Sequence, residues 1–417
     1  MTDYDVVVVG AGAAGIAATR FLVDENLNVI CLEASGRVGG RAHTDTEIFG
    51  VPFDTGAHWM HCEHINSLRG PGLAMGLNLY EADEDRAVTA GLEDDDILWD
   101  QVDAVFEDAK YALSSIGEND DLSMDDVLKV DGPWGLTARM MCCLSMARDP
   151  NQISLRDLFS WEGGKDLFCK EGFGHLVARL ADQLPIKLSA PVKEIQVLPK
   201  EVRLTTDNGL LTAKVVIVTA SVGVLAEDVI RFDPPLEADR RSALDAITMS
   251  DYGHTALLFQ PGTIPLESDI WLTYQINEVA DAVPQGGGFL CNVGGTGLTN
   301  FETGGSFNRT LQEAGSEAAV DHALEILVGI FGSELRRKFI KGHSTNWRHE
   351  PYVRGSYSGA LPGGSAKREV LARPHADRIY FAGEATHRGQ QASVSGAYLE
   401  GQRIANEILK FRHRNIR

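Results

Sequence analysis

An α/β fold built on a parallel sheet is predicted by three features near the start of the chain. Val6-Val7-Val8-Val9 is a β-branched run without alternation, which suits a central strand buried on both faces. It leads into Gly10-Ala11-Gly12-Ala13-Ala14-Gly15, a glycine spacing that turns a strand into a helix and leaves the helix's first N–H groups bare. Glu33 closes the next apolar run, eighteen residues after Gly15.

Each element follows in order. Gly10 permits the tight turn, Gly12 lets backbone approach a pyrophosphate, and Gly15 lets helix and strand pack closely. Ala13 to about Glu25, with Ala14 in its first turn, supplies the helix, and Leu27 to Leu32 the second strand. Glu33, with Ala34 beside it, stands where a carboxylate accepts hydrogen bonds from ribose hydroxyls. The glycines alone recur by chance; with strand, helix and acid around them they predict a Rossmann-like dinucleotide site. They do not separate nicotinamide from flavin.

The following segments do. Arg37 and Arg41, among Gly36, Gly39 and Gly40, put two guanidinium groups where a dinucleotide phosphate would lie, although an isolated RxGGR also suits a solvated basic loop. Phe53-Asp54-Thr55-Gly56-Ala57-His58-Trp59-Met60-His61 then offers a glycine where backbone can approach a planar ring. Far along the chain, Phe381-Ala382-Gly383-Glu384-Ala385-Thr386-His387 places Gly383 and Glu384 between a buried strand and a final helix start, suited to a cofactor's ribitol or phosphate.

Together these segments resemble the flavin-containing amine oxidase family, which includes monoamine oxidases, polyamine oxidases and L-amino acid oxidases. The resemblance continues through Ala213–Ala220, Gly223-Val224-Leu225, Phe232–Leu236, Trp347, Glu350-Pro351-Tyr352, Gly355-Ser356-Tyr357 and Gly396–Gly401. It implies a Rossmann-like FAD-binding domain with an interleaved α+β substrate-binding domain. The cofactor is expected to be FAD. Cofactor contacts are expected at Gly10, Gly12, Ala14, Gly15, Glu33, Ala34, Gly40, Arg41, Gly56, Ala57, His58 and Trp59. Val192, Gly383, Glu384, Ser393 and Val394 complete that set. Catalytic positions are His254, Tyr357 and Trp347, the last two in a flavin-facing segment.

Departures from the family carry information too. Monoamine oxidases have a flavin-bonded cysteine where this chain has Ser356, so the FAD is expected to be noncovalent. Tyr357 matches one of their two cage tyrosines while the other falls at Ser393, which leaves the expected cage half open. Many members place a lysine at the position of His254, where it binds a water near flavin N5. The implied chemistry is hydride transfer from the carbon beside an amine to flavin N5. An imine is hydrolysed to the carbonyl product, and dioxygen is reduced to hydrogen peroxide. The backbone at Val394, at a helix's positive end, would stabilise reduced flavin.

Domain organisation is read from where flavin motifs return. Residues 1–76, 165–248 and 342–417 are expected to form the FAD domain, with Lys187 to Ile195 as a strand near the adenosine. Residues 77–164 and 249–341 are expected to form the substrate domain. The first of these insertions is acidic, with helices at Ile97–Leu113 and Met124–Val130. The second carries a strand at Thr255–Phe259 and a helix at Ser316–Phe331.

Bulk properties exclude several classes. With 417 residues, 44% hydrophobic and 23% charged, the chain can bury substantial cores. A net charge of −21 disfavours nucleic acid and anionic membranes, and it steers cations mildly. No apolar stretch is long enough to span a bilayer and the first strand leaves no room for a signal peptide, so a cytoplasmic location is expected. Six cysteines form no C-x-x-C pair and read as free thiols. His58, His61, Cys62 and His64 fit no tetrahedral template, so no metal is expected.

The function read from the sequence is that of a soluble FAD-dependent amine oxidase acting on a small amine with dioxygen. It stands nearest polyamine oxidases, because Trp59-Met60-His61 resembles their Trp-Ile-His segment. The oligomeric state is left open. An L-amino acid oxidase is the alternative and would need a cleft arginine, from Arg139, Arg148 or Arg354. A dehydrogenase or desaturase on the same scaffold, or a flavin-binding partner protein without turnover, completes the set.

Overall fold

In the computed structural model, residues 2–82, 87–280 and 283–414 are described, so the outermost expected limits, 1 and 417, lie outside them. The valine run forms the strand Tyr4–Val9, which pairs in parallel with Gly209–Val218 on one side and Val29–Leu32 on the other. Ile379–Phe381 joins in parallel at Val216–Val218. The earlier part of that long strand pairs antiparallel with Val202–Thr206, and the sheet continues through Val192–Val197 to Arg231–Asp233. Ile186–Lys187 closes the opposite edge. The eight strands thus come from three separate stretches of chain.

Both faces of this sheet are apolar, as the unalternating sequence requires. Val7, Val216 and Phe381 belong to one core, and Val6, Val8 and Ile217 to another. The second core lies under helices Ala13–Asp24 and Val394–Arg414. These helices approach closely because Gly401 carries no side chain: a Cβ there would come 2.1 Å from the Ala14 carbonyl oxygen.

A six-stranded sheet forms the other body, in the order Phe339–Ser344, Tyr252–Phe259, Leu298–Gly304, Gly288–Val293, Ile270–Tyr274, Ala87–Ala90. Helix Ser316–Phe331 buries Ala319, Ala323 and Leu327 in a core with Leu257, Phe289 and Phe301 of this sheet. Helices Asp96–Ser114 and Gly135–Leu144 build a separate apolar cluster through Leu98, Val102, Ala138 and Cys142. Among the described residues, no helix is long and apolar enough to cross a membrane.

Two local expectations are corrected. Lys187 to Ile195 is not one strand: it breaks at Ser189, whose φ is +49°, and Pro191 removes a ladder donor before Val192. Met124–Val127 is shorter than expected, because a Ser123/Asp126 capping box starts it and Leu128 is already extended. Gly135–Leu144 escaped the sequence reading. In addition, the strand Phe339–Ser344 runs across the expected cut at 342.

Candidate active site

The turn after Tyr4–Val9 is shaped by its glycines. Gly10 has φ +101°, and a Cβ there would strike Thr219 Oγ1 at 2.6 Å. A Cβ on Gly15 would lie 1.8 Å from the Gly10 carbonyl oxygen. Gly12 differs: a Cβ there would meet nothing within 4 Å, because it would point into a cavity of about 1230 Å³. Helix Ala13–Asp24 starts at this point, with no acidic residue in its first turn to compete for an anion. Glu33 is buried beside the turn. Its Oε2 accepts from the Ala11 N–H at 2.7 Å, and its Oε1 accepts from the backbone N–H and hydroxyl of Ser35, each at 2.8 Å.

The opposite wall is tied across the chain. Arg41 Nη1 donates to Glu384 Oε1 at 2.7 Å and to the Ser356 carbonyl at 2.9 Å. Glu384 also accepts from the Ser358 N–H and hydroxyl and from the Ala392 N–H. Burial would raise its pKa, but Arg41, Ser358 and Arg368 hold it below the usual carboxylate value. Arg368 is buried and grips Asp157 with two bonds of 2.7 Å. It also donates to the Ser358 hydroxyl at 2.8 Å.

The far end of the cavity is aromatic and polar at once. Trp347 donates from Nε1 to the Thr55 carbonyl at 2.8 Å, and Gly56 makes room for its ring. His58 Nδ1 lies 3.0 Å from Asp54 Oδ2. Burial works against its cationic form, but Asp54 outweighs burial and raises its pKa. His254 lies on Tyr252–Phe259 with Nδ1 3.1 Å from the Asp54 carbonyl; burial pulls its pKa below the ordinary value, against the opposing pull of Glu302. Tyr252 donates its hydroxyl to Glu302 Oε2, and burial followed by that carboxylate raises the Tyr252 pKa well above normal. Tyr357 bonds to the Ser145 carbonyl at 2.9 Å. Its ring centroid lies 5.8 Å from that of Tyr252, at 45°.

Almost every residue expected from sequence lines this one cavity: Gly10, Gly12, Ala14, Glu33, Ala34, Gly40, Arg41, Gly56, Ala57, His58 and Trp59 from the first stretch. Val192, His254, Trp347, Tyr357, Gly383, Glu384, Ser393 and Val394 line it from the later ones. Gly15 does not; it acts in packing, beneath the turn. Tyr252, on the strand Tyr252–Phe259, packs beside Tyr357. Ser393 caps the last helix, its hydroxyl accepting from the Gly396 N–H at 3.0 Å. Sequence reasoning missed Tyr252, Asp269, Trp271 and Glu302, all of which line the cavity. Glu302 Oε1, His254 Nε2, His58 Nε2 and Trp271 Nε1 are buried without a hydrogen-bond partner. Each such atom costs about 1–3 kcal/mol until a ligand or water answers it.

Residues 143–409 match the family described as flavin containing amine oxidoreductase, and residues 8–69 match an NAD(P)-binding Rossmann-like domain. The chain belongs to the flavin-containing amine oxidoreductases. Among the relatives of this amine oxidoreductase is polyamine oxidase 4 of Oryza sativa subsp. japonica, 27% identical over 97% of this chain and 88% of the relative. Lysine-specific histone demethylase 2 of Homo sapiens is 24% identical over 98% of this chain and 54% of that protein. A solved putrescine oxidase variant, redesigned in its cofactor binding, shares the fold with a TM-score of 0.79 at 18% identity. That likeness covers 98% of this chain and 99% of the other.

The cofactor of this amine oxidoreductase is FAD, and the residues fit it. Gly12 opens onto free space beside a helix start, the buried Glu33 carboxylate lines the cavity next to that turn, where it would meet the ribose, and the cavity exceeds the ~300–1,000 Å³ usual for a small ligand. Ser356 offers no thiol, and its hydroxyl is engaged, donating to the Ser250 carbonyl at 2.8 Å and accepting from the Tyr252 N–H at 2.9 Å.

Proposed function

We propose that this amine oxidoreductase is an oxidase: it oxidises the carbon beside a small amine, releases an imine that water hydrolyses to a carbonyl compound, and passes the electrons to dioxygen to give hydrogen peroxide. The observation that carries the reading is the continuity of one cavity from the Gly12 cradle to the Tyr252 and Tyr357 rings, with buried unpaired acceptors at its far end. FAD, when bound, supplies the two-electron acceptor. Tyr357 and Tyr252 would wall the amine, Trp347 would set the plane beside it, and His254 would hold a water or orient the substrate. The start of helix Val394–Arg414 would favour negative charge on the cofactor side. Residues 1–76, 165–248 and 342–417 would serve as the FAD domain and 77–164 and 249–341 as the substrate domain, which the separate eight-stranded and six-stranded sheets support. Six buried cysteines that form no disulfide suit a reducing cytoplasm.

The charge pattern favours an amine over an amino acid. None of Arg139, Arg148 and Arg354 lines the cavity: Arg139 pairs with Asp125, Arg148 is bound to Ser250 and Thr248, and Arg354 pairs with Glu227. A substrate carboxylate would instead face Glu302 and Asp269. A panel of mono-, di- and polyamines and L-amino acids, followed by coupled peroxide detection and by anaerobic flavin bleaching, tests the reading. Bleaching by amines with peroxide on re-aeration is the expected result. Bleaching without peroxide identifies a dehydrogenase, and no bleaching by any compound overturns the reading. Tyr357→Ala is expected to lower kcat on the best amine by about tenfold or more while the flavin stays bound. Unchanged kinetics would assign Tyr357 a packing role only.

A further inference from the structure

Glu302 and His254 meet inside the cavity, each with one polar atom unanswered. They are register partners on neighbouring antiparallel strands, so their side chains share a face, and each residue is only 2% exposed. Glu302 Oε2 accepts the Tyr252 hydroxyl, whereas Oε1 has no partner. A carbonyl can only accept, so the 3.1 Å approach of His254 Nδ1 to the Asp54 oxygen fixes the proton of the neutral ring on Nδ1. The bare Nε2 lone pair then faces Glu302 Oε1 across 3.9 Å. Two buried acceptors at that separation call for a group with several polar hydrogens between them. An ammonium group brings three, together with the positive charge that a buried carboxylate lacks.

We propose that Glu302 and His254 seat the ammonium group of the incoming substrate and that His254 Nε2 accepts one of its protons, delivering the neutral amine that the oxidation consumes. One substrate N–H bond breaks and its electron pair stays on nitrogen; an Nε2–H bond forms, and the resulting imidazolium is held by Glu302. The charge of the site is unchanged by the transfer. This inference rests on the amine-oxidising reading above.

The surroundings suit the step. Asp54 and His58 face the pair from the loop before Trp59, Tyr252 from the His254 strand, and Tyr357 from the segment after Ser356. The Asp54 carboxylate is taken by His58, Thr44 and the N–H groups of Phe173 and Gly174, so it does not compete for the ammonium. Tyr252 stays protonated and remains a donor to Glu302. Burial holds the His254 pKa below the ordinary value, so the ring is neutral at pH 7 and free to accept. Its accepting form is lost as pH falls through that value.

Two readouts test the proposal with the FAD-loaded protein. tert-Butylammonium has no hydrogen on the carbon beside nitrogen and cannot be oxidised, so its binding is measured by calorimetry, with tert-butanol as the neutral control. Glu302→Gln is expected to weaken the cation by about tenfold or more and leave tert-butanol unchanged. Anaerobic flavin reduction by the best amine should slow in the same variant at pH 7, with the defect closing above about pH 10, where solution supplies neutral amine. Unchanged affinity for tert-butylammonium, or a defect constant across pH, would overturn the proposal. Should the Glu302→Gln variant fail to fold, His254→Gln serves: its amide oxygen still accepts from the ammonium but cannot take a proton, so it is expected to keep most of the cation's affinity and lose the acidic limb of kcat/KM, and a retained limb refutes the proton transfer. A parent protein that no amine reduces would defeat the amine-oxidising reading itself, whereas a reducible parent with unaffected variants defeats only this inference.

Discussion

Gly12→Val protein is expected to be folded and colourless. Gly12 has φ −76° and ψ −177°, an extended conformation open to any residue, and a Cβ there meets no protein atom within 4 Å. The added side chain therefore disturbs little except the space over the helix start, where the pyrophosphate of FAD belongs. Gly15 could not give so clean a result: its Cβ would collide with the Gly10 carbonyl, and the turn itself would fail. The checks are flavin absorbance after purification and a thermal melt of parent and variant, both stripped of cofactor. Acid precipitation of the parent should leave its flavin in the supernatant, as expected with Ser356 in place of a flavin-bonding cysteine. A yellow Gly12→Val protein would refute the placement, and a parent mass increased by FAD would refute noncovalent binding.

Arg368→Met is expected to be the most destabilising change at the site, by about 3–5 kcal/mol. The guanidinium and the Asp157 carboxylate are both essentially without solvent contact, and each depends on the other. Removing the cation leaves Asp157 charged and buried. It also frees the Ser358 hydroxyl and the Ala385 carbonyl, to which Arg368 donates, and Ser358 in turn holds Glu384. Lower stability to urea should thus come with weaker FAD retention. Replacing Asp157 by leucine in the same chain should recover part of the loss, since no unpaired charge then remains. A single variant within about 1 kcal/mol of the parent would show that the pair relaxes or hydrates freely.

What was legible in the sequence was whatever sits close along the chain. Gly10, Gly12, Gly15 and Glu33 are set by one strand, one turn and one helix, so their spacing alone carries their geometry. Glu302 had no such signal. It lies in the strand Leu298–Gly304, buried on both faces at nearly every position, where a period of two is hidden. Only the antiparallel register brings it to His254, and register between strands separated by a long loop is not written in either strand. A carboxylate beside Phe301 in an otherwise buried run was the available cue. Tyr252 had no signal for a different reason: its ring reaches Tyr357 from a strand distant in sequence, and no local spacing links the two. The break at Ser189 was foreshadowed by Pro191, two residues later.

The bond between Arg41 and Glu384 joins residues 343 positions apart, and helix Val394–Arg414 lies directly on Ala13–Asp24. On a ribosome adding about 5–20 residues per second, the glycine turn therefore waits about 20–70 s before the partners that close its site exist. Until residue 218 is made the valine strand can pair with Val29–Leu32 but not with Gly209–Val218, and the last helix is missing for the whole interval. Flavin capture is consequently a late event in the life of each molecule, and a shortage of the vitamin precursor should show first as newly made, unloaded chains rather than as loss of cofactor from old ones.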